Sequence, residues 1–110
     1  MKFGLQHPIF SFDYSNHNNT SQIVDSLKNL ATRAENIGFD SFWVMDHFHQ
    51  IPFIGKPEES ILEGWTTLSV LAGITTKIKM GILVTGVIYK YPLVLVKVAA
   101  TLDVPANYRR

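Results

Sequence analysis

The sequence contains no cysteine, and that single absence removes two classes of small protein, those stapled by disulfides and those built on a thiolate metal centre. It also makes a reducing cytoplasm the expected compartment. Charge is scarce and balanced, at 17% of residues with a formal net charge of +1, so no basic patch asks for nucleic acid or an anionic membrane. The opening MKFGLQHPIF lacks the cationic segment, long apolar stretch and small-residue cleavage site of a signal peptide. The most apolar run, residues 93–104, is interrupted by Lys97 and Asp103 and falls short of the roughly 20 residues that span a bilayer. Absent too are the G-x-G-x-x-G and G-x-x-x-x-G-K-[ST] loops that mark nucleotide-binding open sheets. At 110 residues the chain has room for one core and no second domain of ordinary size.

What is there is one unit repeated. Residues 2–6 form a strand candidate ended by His7-Pro8, where proline disfavours continued pairing. A polar loop rich in Asn and Ser follows, and then apolar residues at Ile23, Leu27, Leu30, Ala31, Ala34 and Ile37 fall on one helical face. Gly38 supplies the left-handed position that stops this helix. The second unit opens with a strand over residues 41–45. Its loop, residues 46–63, is long and holds prolines and a glycine, which in a compact domain points to function. Trp65, Leu68, Leu71 and Ala72 then start a second helical stripe. The third strand is expected over residues 78–85, followed by a loop over 86–91 and a helix that Pro92 opens at its first turn.

Alternating strands and helices imply parallel strands joined by right-handed crossovers. Either an open doubly wound sheet or consecutive strands of a (β/α)8 barrel satisfies that order. Without a phosphate-binding glycine loop, the barrel is the better reading: α/β, a partial (β/α)8 TIM barrel of consecutive βα units with the strands in the order 1-2-3. In barrels the working groups sit at the carboxyl ends of the strands. Gln6-His7, Asp46-His47 and Thr85-Gly86 occupy those ends here.

The stretch WVMDHFHQIP, residues 43–52, carries the densest chemistry. His47 reads either as a loop histidine held by its neighbours or as a proton donor or acceptor, since an imidazole's unperturbed pKa is about 6.5. Asp46 either orients that imidazole or caps backbone N–H groups of the loop. His47 and His49 also satisfy the H-x-H spacing of metal-dependent barrel hydrolases, because residues two apart on an extended segment point to one side. A catalytic divalent metal generally needs a third protein ligand, and only His7 and Asp46 are placed to supply one, so no metal site is expected. Trp43 and Trp65 read as packing residues.

The pieces GFDSFWVMDHFHQIP, LEGWTTLSVLAGITTKIKMGILVTGVIYKYP and KVAATLDV, in this order and spacing, resemble the amino-terminal part of the luciferase-like flavin and deazaflavin oxidoreductases. The resemblance is closest to the branch dependent on coenzyme F420, and it covers nearly the whole chain, from FGLQHP to Asp103-Val104. It implies a hydride-transfer enzyme on a (β/α)8 barrel with the cofactor in the mouth. Relatives place an Asp-His pair at the end of the second strand, which matches Asp46-His47, with the histidine near the reacting face of the ring and the aspartate holding its tautomer. Sugar-phosphate dehydrogenases of the family carry a tryptophan four positions after that histidine. This chain has Ile51 there, which argues against a sugar phosphate. Relatives often have a non-prolyl cis peptide on the third strand. By matching, it would fall between Ile82 and Gly86, so that Val84, Thr85 and Gly86 touch the cofactor unless the last two are plain strand-end residues. Gln6 and His7 would shape the mouth.

A barrel of this kind typically runs about 250 residues, and the relatives' later loops hold the cofactor phosphate. Residues 1–110 are therefore expected to be a single incomplete barrel segment, inactive alone. Relatives continue after LDV with a Ser-Gly-Gly-Arg-like turn, whereas this chain departs at Pro105. Three strands leave two edges and an unsealed interior face, expected to carry Phe3, Leu5, Phe42 or Val44. Leu93, Val94, Leu95 and Val96 with Val98, Ala99 and Ala100 make the last helix apolar almost all round, so cover is expected from another copy of the chain or from a carboxyl-terminal barrel segment. Two rival functions stand beside the F420 oxidoreductase: a non-catalytic relic or self-associating interaction module, and a segment of an FMN-dependent monooxygenase. The partners expected for the enzyme are the cofactor and a small organic substrate.

Overall fold

The computed structural model describes residues 1–7, 11–12 and 17–107. Pro8, expected to end the first strand, and residues 108–110 lie outside them. In chain order the elements are β1 (Gly4–His7), β2 (Ser11–Phe12), α1 (His17–Asn36), β3 (Ser41–Val44), β4 (Ser60–Ile61), α2 (Gly64–Ile74), β5 (Lys79–Ile82), a 3-10 turn (Val87–Tyr89) and α3 (Pro92–Asp103).

β1, β3 and β5 form a parallel sheet in chain order. Its register is flush: Gly4 pairs with Ser41 and Ser41 with Lys79, while His7 pairs with Val44 and Val44 with Ile82 at the far end. The fold is a partial TIM barrel, as the alternation of strands and helices predicts. β5 stops at Ile82, short of the expected Thr85. Leu83 still donates to the Val44 carbonyl at 2.8 Å, but β3 has ended there, and beyond it the apolar run has no strand to pair with. The non-prolyl cis peptide lies at Leu83-Val84, within the window the resemblance implies.

The core lies between this sheet and its helices. Phe42, Val44 and Ile78 are buried against Leu27, Ala31 and Ala34 of α1 and Leu68, Leu71 and Ala72 of α2. Each large side chain so buried stabilises the fold by roughly 1.5–3 kcal/mol before its entropy cost. Leu5, Met80, Ile82 and Trp65 pack against the same cluster, the last as expected. The open face of the sheet differs from the expected one. Phe42 and Val44 are wholly buried on the helix side and Leu5 packs there with them, so the face left open carries Ser41 and Trp43. Alternation fixes this, since register partners share a side and neighbours along a strand do not. The Trp43 indole lies across Gly4 and Gly81 of the flanking strands and donates to Ser41 Oγ at 2.8 Å. Phe3 is exposed ahead of β1.

α1 ends in a Schellman motif. Phe39 N–H bonds the Ala34 carbonyl at 3.0 Å and Gly38 N–H the Glu35 carbonyl at 3.2 Å, with Gly38 at φ 93°. Ile37, expected on the buried stripe, falls past the last helical turn and is exposed. Near that end Glu35 anchors the loop before β5. Its Oε2 accepts the N–H groups of Thr76, Lys77 and Ile78 at 2.9, 2.6 and 2.8 Å. Two short elements escape sequence patterning: β2 and β4 pair antiparallel, Ser11 with Ile61 and Phe12 with Ser60, and tie the loop after β1 to the loop after β3. α3 buries Leu102 and leaves Leu93, Val94 and Val96 exposed. Among the described residues no helix is long and apolar enough to cross a membrane.

Candidate active site

The flush register sets the carboxyl ends of β1, β3 and β5 at one level, and the loops leaving β3 and β5 meet there. Asp46, just past β3, is buried with 3% of its surface exposed. A carboxylate so desolvated requires partners, and it has them. Gly86 N–H donates to Oδ2 at 3.2 Å, and the Lys90 ammonium stands 3.2 Å from Oδ1. Lys90 also meets Glu63 Oε1 at 2.7 Å. Glu63 caps α2 by accepting Thr66 N–H at 2.7 Å. The Tyr89 hydroxyl donates to the Asp46 backbone carbonyl, and its ring meets Phe48 edge-on at 4.5 Å. Side chains from the loops after β3 and β5 thus interlock over one lysine.

The charges reinforce one another. Burial alone pushes the Glu63 carboxyl up, but the Lys90 and Thr66 hydrogen bonds outweigh it and hold it at about 2. Burial alone pulls Lys90 down, and the bonds to Glu63 and Asp46 outweigh that, leaving the ammonium above its usual range. Burial, then the Asp46 charge, push the Tyr89 phenol up.

The residues singled out from sequence gather at this level with different exposures. His47 is exposed, and no hydrogen bond joins it to Asp46, whose carboxylate is turned to Gly86 and Lys90. Val84 is 70% exposed, with Thr85 and Gly86 half-buried beside it. Gln6 is exposed at the end of β1, on the side of the sheet that carries Trp43. His7 is half-buried in register with Val44, and burial pulls its imidazole below the usual value against a backbone hydrogen bond that raises it. His49 is exposed like His47, and among the described residues no three His, Cys, Asp or Glu side chains stand close enough to share a metal. Lys90, Tyr89 and Glu63 belong to the site although no sequence pattern singles them out. Their traces there are a lone cation between two aromatics in IYKYP and an acid immediately before the GWTT that opens a helix.

The donor set at this edge fits a planar heteroaromatic group. Leu83 and Val84 offer an exposed apolar surface at the end of β5, while Gln6 and His47 bring polar side chains to the neighbouring strand ends. A ring with apolar faces and hydrogen-bonding edges needs that combination.

Solved structures share this architecture. The coenzyme F420-dependent tetrahydromethanopterin reductase of Methanopyrus kandleri superposes with a TM-score of 0.73 at 24% identity, over 98% of this chain and 25% of that one. Monooxygenase RslO1 of Streptomyces bottropensis gives 0.74 at 22% identity, over 99% and 31%. The oxygenating constituent of 3,6-diketocamphane monooxygenase from Pseudomonas putida, solved with FMN, gives 0.74 at 19% identity, over 99% and 28%. The chain thus spans between a quarter and a third of the length of these structures, and the likeness is one of fold. No curated protein sequence matches it. The luciferase-like monooxygenase family matches residues 1–107, and the chain, with its flush parallel strands and its polar groups at their carboxyl ends, belongs to that family.

Proposed function

We propose that this chain forms the amino-terminal part of the mouth of a coenzyme F420-dependent oxidoreductase that acts on a small organic substrate. The supporting observation is the shared level of three strand ends, which brings His47, Val84, Thr85, Gly86 and Gln6 around one edge. When bound, the deazaflavin supplies hydride exchange with the substrate. The chain's own residues supply position and a proton. His47, exposed at the rim, exchanges a hydrogen bond or proton with the substrate oxygen or the ring edge. Asp46 acts beside it from its buried seat, and the backbone and side chains of residues 84–86 line the ring's apolar face. Gln6 and His7 bound the far side of the mouth. We read residues 1–110 as one incomplete barrel segment, working in the cytoplasm, whose open sheet face is covered by a further barrel segment or a second copy.

FMN is the rival cofactor, favoured by the flavin bound in the Pseudomonas putida neighbour, and would make the chain a monooxygenase segment. The exposed apolar face of α3 favours a non-catalytic, self-associating module. Titrating the purified chain with F420 and, separately, with FMN, followed by cofactor absorbance and fluorescence, separates these readings. Saturable binding of F420 is expected. Saturation by FMN alone transfers the chain to the monooxygenase reading, and no response to either at near-millimolar concentration leaves the interaction module. In a version with a closed barrel, His47→Ala is expected to lower turnover far more than cofactor affinity, and equal losses would make His47 structural.

A further inference from the structure

We infer that Lys90 is a positioning residue: by bridging Asp46 and Glu63 it fixes the loop after β5 against the loop after β3 and so sets where residues 84–86 meet a bound ring. The inference rests on the function proposed above for its consequence, but not for its geometry. Lys90 is half-buried, with 17% of its side chain exposed, and of its two partners Asp46 is the buried one, at 3%. Exposed ion pairs contribute little, whereas removing one partner of a buried pair leaves an uncompensated charge.

The two carboxylates do not depend on Lys90 equally. Glu63 is 41% exposed, keeps its bond from Thr66 N–H and sits at the positive end of α2. It can lose the lysine and remain in place. Asp46 is only 3% exposed, and its remaining side-chain bond is the 3.2 Å one from Gly86 N–H. Without the ammonium its charge is left uncompensated in a buried seat and the carboxylate is driven to turn outward, which weakens its hold on Gly86. Because Gly86 follows Val84 and Thr85 directly, the loss reaches the proposed cofactor edge and spares the start of α2. The same geometry reassigns Asp46. Its charge is spent on Lys90 and Gly86, so it locates His47 through the backbone rather than by pairing with the imidazole.

The test is site-resolved amide exchange on the 15N-labelled chain, with Thr67, whose N–H bonds Glu63 O at 3.0 Å, as the internal reference. Lys90→Met is expected to speed Gly86 exchange by roughly tenfold or more while Thr67 changes by less than about twofold. Lys90→Arg, which keeps the charge and a donor for each carboxylate, is expected to restore Gly86 protection. F420 and FMN titrations of the same variants are expected to show several-fold weaker binding in Lys90→Met and recovery in Lys90→Arg. Should Lys90→Met not fold, Asp46→Asn replaces it: the side chain keeps its size and loses the charge, and Gly86 exchange is again expected to rise ahead of Thr67. Unchanged Gly86 exchange in a folded variant, or Gly86 and Thr67 accelerating together, overturns the inference. If the unmutated chain binds neither cofactor, the proposed function fails while amide exchange still decides the role of Lys90.

Discussion

Replacing Glu35 with Gln should destabilise the chain out of proportion to a surface substitution. Glu35 Oε2 receives three backbone N–H groups, from Thr76, Lys77 and Ile78, and Oε1 receives the Thr76 hydroxyl at 3.2 Å. Of these donors Thr76 and Lys77 face solvent, so each can rebond to water, and their loss costs about 0.5–1.5 kcal/mol apiece. The Ile78 N–H is partly buried beside the core and costs about 1–3 kcal/mol if orphaned. A glutamine that puts its one acceptor oxygen in the place of Oε2 turns its NH₂ to Thr76, and the three backbone bonds it keeps lose the strength of a charged acceptor. We therefore expect a net loss of about 2 kcal/mol at neutral pH, read as a lower urea midpoint at constant m-value. The pH dependence follows from the carboxyl's lowered pKa. Burial alone pushes it up, and the bonds from Ile78, Lys77 and Thr76 outweigh burial and hold it below the usual 4.5. A depressed carboxylate stabilises fully above its unfolded value and loses that contribution as pH falls through the folded one. The gap between the parent and Glu35→Gln should accordingly be full at pH 7 and shrink below pH 4.5. A gap under about 0.5 kcal/mol at pH 7, the ordinary scatter of surface substitutions, or one that does not narrow in acid, refutes the argument.

Further expectations follow from the clamp and the sheet. By carboxyl NMR Glu63 should titrate near its held value of about 2, and Lys90→Met should move that midpoint upward; an unmoved midpoint removes Lys90 as the cause. The stability Glu63 contributes through Lys90 is present above the ordinary 4.5 and disappears toward pH 2, so Glu63→Gln should flatten that part of the acid-unfolding curve. Gly81→Ala places a methyl group against the Trp43 ring and should cost about 1–3 kcal/mol with a shift in tryptophan emission. Unchanged emission would mean the indole does not lie there.

The order of strands and helices was legible because the first two helical stripes have a clear period, Gly38 stops the first helix and Pro92 opens the last. The side that each strand presents was not legible. Ser41, Phe42, Trp43 and Val44 are nearly all apolar, as strands covered by helices usually are, and such a run carries no alternation to separate the buried Phe42 from the half-open Trp43. The β2–β4 ribbon is two residues long on each side, too short for any period. At the candidate site Asp46 and His47 could be found because they follow a strand directly. Lys90 could not, because its meaning depends on folding: Glu63 lies 27 residues away in sequence, and the Gly86–Asp46 bond spans 40. Glu35 escaped for the same reason, its partners being 41 to 43 residues distant.

The flat seat of Trp43 has a consequence for strand alignment. A slip of one position would exchange the two sides of a strand, and with apolar residues on both sides, hydrophobicity alone would punish that error weakly here. Gly4 and Gly81 punish it instead, because the indole rests across bare backbone on both flanking strands and any shift slides a side chain beneath it. The two glycines behave as the notches of a key, and the tryptophan as the pin that drops only when both are aligned.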